Sequence, residues 1–202
     1  MSEWLNEYGY LLWVLAAVTV FAVVVFIFAG KALSRHNKEY KKREAEIKRL
    51  LELKEKYRNL TEDVILSAPE NELLEGTALS YQLILQKLDD QEGAFNEMNE
   101  FKKDIYALDV FVQDASVKEF FSQNGDILRK RIVEAFNKIG MEDFAKKVSK
   151  IALMYDNDDD TVSYSEKEIA EFDKYIEEKD VLTQIKLKSA DYIKDNFGEF
   201  VN

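Results

Sequence analysis

The chain has no cysteine and very little proline, glycine or histidine: its 202 residues include one Pro, seven Gly and one His. Without Cys, disulfides, thiolate nucleophiles and sulfur-ligated metal sites are excluded. Pro and Gly are the residues that most often end helices and form turns, so their scarcity favours long helices over a turn-rich β-fold. No stretch shows the β-branched alternation of a strand, and we therefore predict an all-α protein.

The common catalytic motifs are absent as well. The sequence has no G-x-S-x-G nucleophile turn, no Walker-type phosphate loop and no G-x-G-x-x-G, and its one histidine, His36, lies in a basic stretch. Carboxylates are abundant, but Asp and Glu at this density occur on any acidic helical surface. We predict no catalytic residue and no cofactor. A carboxylate-based enzyme or a calcium-responsive domain remains the alternative.

Charge is divided unevenly along the chain. Residues 1–60 hold 11 Lys/Arg and 7 Asp/Glu, whereas residues 61–202 hold the other 17 and 32, a net charge of −15. A surface this negative repels nucleic acid and attracts basic partners with strong salt dependence. We therefore predict a basic protein partner and no direct binding of nucleic acid, although solubility alone also explains such acidity.

One long apolar run lies near the N-terminus. Residues 10–30 contain no charge, and 21 helical residues at about 1.5 Å each span a hydrocarbon core of about 30 Å. The run follows a short acidic tail, residues 1–9, and aromatic residues lie on that side. The basic residues of the opposite flank are Lys31, Arg35, Lys38, Lys41, Lys42 and Arg43. By the positive-inside rule this pattern predicts a single-pass membrane protein, with its N-terminus outside and its C-terminal domain cytosolic.

Residues 31–60 are predicted to form a basic juxtamembrane stalk. Within 36–60, charges alternate and apolar residues recur at helical spacings. The apolar positions are Tyr40, Ile47, Leu50, Leu51, Tyr57 and Leu60. Because this seam is short and contains Lys54, either a coiled-coil homodimer or a solvated stalk is consistent with it.

Residues 61–202 are predicted to form one compact multi-helix domain. Two capping boxes, Ser67 with Glu70 and Ser165 with Glu168, mark the starts of helices, and Gly140 marks a helix end. Apolar periodicity predicts helices over about 67–87, 95–113, 126–140 and 141–155, then from about 165, with a short turn at 116–121 and a closing segment at 180–200. The 126–140 helix should direct Ile127, Ile132, Ala135, Phe136 and Ile139 inward.

The acidic segment that follows Tyr155 contains candidate metal ligands. Asp156, Asp158 and Asp160 alternate like the first, third and fifth ligands of a calcium loop. However, Thr161 stands where such a loop needs glycine, and Lys167 stands where it needs its bidentate Glu. The pattern therefore favours a solvated surface loop over a metal site.

From about residue 101 to 202 the chain resembles the helical C-terminal domain family of the DNA mimic proteins. The segments that carry the resemblance are KEFFSQNG (118–125), AFNKIGMEDFAKKVSKIA (135–152), EFDKYIEE (171–178) and DYIKDNFGEF (191–200). The motif positions are Phe120, Phe121, Asn124, Gly125, Ile139, Gly140, Asp173, Tyr192, Ile193, Asn196 and Phe200. The resemblance implies an all-α domain without a known catalytic site, and a dimer that imitates DNA phosphates to occupy a DNA-binding regulator.

Together with the resemblance, these features predict a membrane-tethered, non-enzymatic acidic module on the cytosolic face of a bacterial cell membrane. It would contact the lipid bilayer and bind a basic regulator or toxin, and DNA mimicry is one way in which it could do so. The alternative in another class is a structural subunit of a larger membrane complex, which a broad exposed apolar patch would favour.

Overall fold

The computed structural model describes residues 40–85, 91–114, 116–124, 126–155 and 165–201. The chain divides into two compact units, Met1–Leu51 and Glu52–Asn202. Residues 40–51 of the first unit are helical and are called α1; residues 52–56, at the start of the second unit, are also helical. Throughout the described ranges the regular structure is helical and no strand occurs, which confirms the predicted all-α class.

The second unit is a multi-helix domain. Its further helices are α2 (Glu62–Ser67), α3 (Glu70–Leu85), α4 (Gln91–Glu97), α5 (Glu100–Gln113), α6 (Val117–Gln123), α7 (Asp126–Lys138), α8 (Glu142–Leu153), α9 (Glu166–Glu178) and α10 (Val181–Asp195), followed by a 3₁₀ turn at Phe197–Glu199. Helix α5 packs against α3, α7 and α10, and α10 also lies along α3. Helix α8 packs on α7, and α9 contacts α6 and α10.

Aromatic rings fill the centre of this domain. Phe111 of α5 makes edge-to-face contacts with Phe120 and Phe136, at centroid distances of 5.1 and 5.2 Å. Phe144 of α8 lies 4.8 Å from Phe136 and 5.4 Å from Phe172 of α9. Edge-to-face and offset pairs of this kind add about 0.5–1.5 kcal/mol each to the free energy gained by burial. Five helices, α5 to α9, therefore meet through one chain of rings.

The first predicted capping box is wrong. Ser67 is the last residue of α2, and its hydroxyl donates to the carbonyl oxygen of Asp63 at 2.6 Å. Helix α3 begins at Glu70 instead, and the carbonyl oxygen of Pro69 accepts its first backbone hydrogen bond, from Leu73 N–H at 3.2 Å. Ser67 belongs to the last turn of the short helix α2, which Thr61 caps. Because its hydroxyl is bonded within α2, it does not cap α3.

Two more expectations about helices are corrected. The predicted helix at 95–113 is two helices, because the side chain of Asn99 caps a new one by accepting from Lys102 N–H at 2.9 Å. The predicted turn at 116–121 is the start of α6, which Ser116 caps.

One side chain predicted to face inward is exposed. Ile127 of α7 is 37% exposed, whereas the other four predicted positions, Ile132, Ala135, Phe136 and Ile139, are buried.

The predicted helix end at Gly140 is confirmed. Gly140 has φ +72°, in the left-handed region where a side chain is strained. Its N–H donates to Asn137 O at 3.1 Å, and the N–H of Met141 donates to Phe136 O at 2.9 Å. These two bonds form a Schellman motif, which satisfies carbonyl groups at the end of α7. The second capping box is confirmed in part, since Ser165 caps α9 by accepting from Glu168 N–H.

The predicted cellular location is corrected. Crossing a bilayer takes about 20 mainly apolar residues in one helix. None of the helices within the described ranges is long and apolar enough for this, and α3, for example, has 16 residues. This finding contradicts the predicted single-pass location in a bacterial cell membrane with a cytosolic C-terminal domain. The predicted span itself, residues 10–30, lies outside the described residues.

Tyr57 and Leu60, which the sequence assigns to the stalk, are buried in the second unit. The ring of Tyr57 lies against α3 at Gly76, and its hydroxyl donates to Glu72 Oε1 at 3.1 Å. A Cβ added at Gly76 would lie 2.4 Å from two ring carbons of Tyr57. Glycine is therefore required here by the close approach of a buried ring.

We expect Gly76→Ala to destabilise the second unit. Because neither α3 nor the enclosed ring can shift freely, overpacking should outweigh the better helix propensity of alanine and cost at least about 1 kcal/mol. Gly198→Ala is the matched control, since a Cβ there meets nothing within 4 Å. Urea denaturation of the whole chain measures both variants, and equal stability would contradict the packing argument.

Candidate functional site

A buried carboxylate, Asp104 of α5, lies at the centre of a charged cluster. Asp104 is fully buried, and its Oδ1 lies 2.5 Å from the guanidinium of Arg131. Its Oδ2 accepts from Lys138 Nζ at 2.8 Å and from the Tyr192 hydroxyl at 3.3 Å. A buried charge is tolerated when it is paired and hydrogen-bonded in this way. The cluster therefore joins α5, α7 and α10.

Arg131 extends this cluster toward the surface. Its guanidinium also pairs with the carboxylate of Glu100, donates to the carbonyl oxygen of Glu100 at 2.7 Å, and lies 3.4 Å from Glu134 Oε2. The hydrogen bonds from Arg131 and then from Lys103 hold the pKa of Glu100 at about 2. Glu100 therefore stays ionised through the physiological pH range.

A second buried carboxyl group, Asp109, lies one and a half turns along the same helix. It is 1% exposed and accepts from Gln113 Nε2 at 2.6 Å. Burial raises the pKa of Asp109 to about 8, against the lowering effect of the Gln113 hydrogen bond; Glu75 raises the pKa further and Lys186 lowers it. Asp109 therefore holds a proton at neutral pH.

These two carboxyl groups are what sequence reasoning missed. The signal was present, because Asp104 and Asp109 lie among the apolar positions of α5, where a charged residue is unusual. Neither Asp109 nor Asp114, whose pKa burial also raises, is among the residues that line the three grooves described below.

Five of the eleven motif positions of the family resemblance lie in the core. Phe120, Phe121, Ile139, Ile193 and Phe200 are all buried. Phe120 and Phe121 contact each other edge to face at a centroid distance of 5.1 Å. Residues of this kind stabilise a fold through packing and offer no chemistry to a ligand.

The polar motif positions satisfy backbone groups or the Asp104 cluster. Asp173 Oδ1 accepts from Val117 N–H at 2.8 Å, so α9 is tied to the start of α6. Asn124 donates to Phe120 O at 2.9 Å and to Asp114 Oδ2 at 3.0 Å, and Asn196 donates to Tyr192 O at 2.8 Å. Gly125 lies outside the described residues. The motif residues thus build the domain but do not converge on a site.

Some of the remaining predicted positions lie within the described residues and others lie outside them. Lys41, Lys42 and Arg43 lie on α1 and are exposed, whereas Lys31, Arg35 and Lys38 lie outside the described residues. Asp156, Asp158 and Asp160 also lie outside them, and the described residues contain no group of three potential metal ligands. Tyr40, Ile47 and Leu51 are about 60% exposed, and the coiled-coil homodimer stays a prediction.

The described residues of the second unit line at least three grooves. The groove between α7 and α8, of about 310 Å³, is lined by Arg129 and Lys130 among others. A second, of about 440 Å³, lies where α8, α9 and α10 meet, beside Tyr175 and Lys188. The third, of about 360 Å³, lies between α3, α4 and α5 and includes Tyr81.

Helix α9 is the most acidic surface element of the described domain. It carries six Asp/Glu and two Lys in 13 residues. Its inner face, Ile169, Phe172 and Ile176, is buried. Its exposed carboxylates are Glu166, Glu168, Glu171, Glu177 and Glu178. At about 1.5 Å per residue they extend over roughly 18 Å of helix axis.

The chain matches no protein-family model, no curated protein and no solved structure. The resemblance to the DNA mimic domain therefore stays a prediction from the sequence.

Asp104→Asn should destabilise the domain strongly. The substitution leaves Arg131, whose side chain is 11% exposed, without its buried counter-charge, and breaking such a pair costs about 3–5 kcal/mol. Asp143→Asn is the matched control, because Asp143 also pairs with a lysine but its side chain is 96% exposed. Chemical denaturation should show a change of at most about 1 kcal/mol for this control. Equal losses in the two variants would contradict the assigned role of Asp104.

Asp109→Asn should stabilise the domain in a pH-dependent way. Below the ordinary pKa of 3.8 the carboxyl group is protonated in both states, so the wild-type group has no pH-dependent cost there. Between pH 3.8 and about 8 the unfolded chain releases this proton while the folded chain keeps it, so folding becomes less favourable as pH rises. Asparagine removes this titration and can still accept from Gln113. The difference in unfolding free energy between variant and wild type should grow from pH 4 to pH 8 to more than about 1 kcal/mol, and a constant difference would contradict it.

Proposed function

We propose that residues 61–202 form an acidic, non-enzymatic interaction module that binds a basic protein partner. The observation that supports the proposal is where the charge lies. Of the Asp and Glu residues of this region whose burial the structure describes, Asp104 and Asp109 are the buried ones and the others are at least partly exposed. The acidic charge of the described part of this region is therefore carried mainly at the surface, where it acts on other molecules.

Helix α9 is the part of the surface best suited to this contact. Its buried face and the bond from Val117 N–H to Asp173 hold it firmly on the domain. Two exposed ion pairs, Lys167–Glu171 at 3.8 Å and Lys174–Glu178 at 3.4 Å, run along its outer side. Exposed ion pairs one turn apart contribute only about 0.3–0.5 kcal/mol to stability. A cationic partner can therefore displace these lysines and pair with Glu171 and Glu178 itself.

The charge density on α9 is lower than that of DNA. Five carboxylates over roughly 18 Å amount to one per about 4 Å, before the two lysines are subtracted, whereas a single DNA strand carries one charge per about 3.4 Å. Such a helix supports electrostatic attraction of a basic regulator or toxin. Imitation of DNA phosphates, which the family resemblance implies, is the more specific form of the same proposal.

Exposed apolar side chains favour this module over the structural-subunit alternative. In the described second unit the large exposed ones include Leu66, Ile127, Leu153 and Leu187. They belong to four different helices, and α10 also exposes Leu182; exposed apolar residues are common on a protein surface and need not mark a subunit contact.

The test is capture of partners by the whole chain at about 50 mM and about 300 mM salt, followed by measurement of the affinity for each basic protein retained. One variant, E168Q/E171Q/E177Q, removes three charges from α9. Its control, E62Q/E70Q/E142Q, removes three exposed charges from other helices. We expect the α9 variant to lose at least about tenfold in affinity, or 1.4 kcal/mol, and the control to lose much less.

Two results would contradict this proposal. One is a partner that binds equally well at both salt concentrations. The other is an equal loss of affinity in the two triple variants, because the contact would then not involve α9 specifically.

A further inference from the structure

Helix α1 exposes a narrow apolar stripe, formed by Tyr40, Ile47 and Leu51. These side chains are 63%, 59% and 59% exposed. An α-helix turns by about 100° per residue, so the three lie within about 40° of one another around the helix axis and extend over roughly 16 Å along it. Large apolar side chains that lie on one line, rather than scattered singly, are typical of a surface that a partner covers.

Among the described residues nothing covers this stripe. Residues 40–49 and 51 are all exposed, and Leu50 is half-buried. Most of the stability of a helix in a protein comes from the packing of its apolar face, and water disfavours apolar surface that stays exposed. A partner that packs along the stripe would therefore stabilise α1.

The charges beside the stripe fit a second copy of α1. At about 100° per residue, Glu44 lies about 40° from Tyr40 on one side of the stripe, and Arg43 lies about 60° from it on the other side. Both are exposed, and neither forms an ion pair with another described residue. The stripe thus has a carboxylate on one flank and a guanidinium on the other.

The other charges of α1 lie farther from the stripe. They are Lys41, Lys42, Glu46, Lys48 and Arg49, all about 80° or more from Tyr40. Lys48, on the Glu44 side, already has an interaction within the chain. Arg49 pairs with Glu46 at 2.7 Å on the far side of the helix. Arg43 and Glu44 are therefore the charges that a neighbour along the stripe meets first.

The order of these flanks favours a parallel pair of helices. When two copies of a helix pack in parallel about a two-fold axis, the left flank of each faces the right flank of the other. Glu44 of each copy then faces Arg43 of the other copy. An antiparallel pair instead places like flanks, and so like charges, on the same side. Opposite charges beside an apolar seam set both the choice of partner and its orientation.

We propose that α1 binds α1 of a second copy of this chain in a parallel pair. Tyr40, Ile47 and Leu51 pack against the same residues of the other copy, and Arg43 pairs with Glu44 on both sides of the stripe. A contact of 12 residues per copy buries much less than about 1,200 Å², so the association is weak and depends on protein concentration.

This contact is independent of the proposed function. It lies on residues 40–51, whereas the acidic surface proposed to bind a basic protein belongs to residues 61–202. The α9 variants leave α1 unchanged, and variants of the stripe leave α9 unchanged. Failure of either proposal therefore leaves the other intact.

The first experiment is analytical ultracentrifugation of the whole chain from about 1 μM to about 1 mM. We expect a monomer–dimer equilibrium with a dissociation constant between about 10 μM and about 1 mM. I47S/L51S should weaken it at least about tenfold, because it removes most of the apolar stripe. L182S/L187S is the matched control, since it removes two exposed leucines of α10, and it should leave the equilibrium unchanged.

Three results of this experiment would overturn the proposal. The first is a chain that stays monomeric throughout, as it would if another segment of the chain covered the stripe. The second is an oligomer that I47S/L51S leaves unchanged. The third is an equal loss of affinity in the two double variants.

Charge reversal tests the assigned ion pairs. Glu44→Arg places a second cation beside Arg43 of the other copy and should weaken the dimer at least about fivefold. R43E/E44R restores opposite charges across the stripe and should return the affinity to within about twofold of the wild type. An equal loss in the single and the double variant would contradict the pairing.

A disulfide test determines the direction of the pair. The chain has no cysteine, so Tyr40→Cys supplies a single thiol. In a parallel pair the two positions 40 face each other, within the roughly 6 Å between Cα atoms that a disulfide spans. In an antiparallel pair they lie at opposite ends of the contact, roughly 16 Å apart. Mild oxidation should link Tyr40→Cys into a covalent dimer but not Lys42→Cys, which lies on the opposite side of α1. Equal linking of both variants, or no linking of Tyr40→Cys, would contradict the parallel pair.

Discussion

The position of α7 on the domain depends on the buried carboxylate of Asp104. Taking this charge out of water is unfavourable by several kcal/mol unless opposite charges and hydrogen bonds compensate for it. Arg131 and Lys138 are seven residues apart, so both reach Asp104 from the same face of α7. A shift of α7 by one turn, about 5.4 Å, would break both contacts, whereas many apolar contacts could re-form. The contacts of Arg131 and Lys138 with Asp104 therefore specify the register of α7 against α5, which apolar burial alone leaves open.

The aromatic core and the buried Tyr57 complete the scaffold around that register. Phe111, Phe136 and Phe144 join α5, α7 and α8, and the ring of Tyr57 brings the chain before α2 onto α3. The charges of the Asp104 cluster compensate each other, so the acidic excess of the described part of the domain lies on its outer surface. Helix α9 can expose its carboxylates because its other face is anchored in the core.

The two proposed contacts differ in physical character. Attraction to α9 comes from several screened charges, so it acts at longer range and weakens with salt. Association through α1 depends mainly on apolar burial, which acts only at contact and responds less to salt, while Arg43 and Glu44 set the direction of the pair. The chain can therefore recognise a basic partner and a second copy of itself by different forces, at different places.

Composition and apolar periodicity alone determined the all-α class, and local chemistry determined the helix end at Gly140 and the cap at Ser165. Such features depend on neighbours within one turn, which a sequence displays directly. Only the tertiary structure decided that Ser67 ends α2. It also decided that Asp104 and Asp109 are buried, while the other Asp and Glu residues of the described domain are at least partly exposed. Whether a side chain is buried depends on helices that are distant in sequence, as Asp104 of α5 depends on α7, which carries Arg131. The periodicity along one helix carries no information about which distant residue will pair with a given side chain.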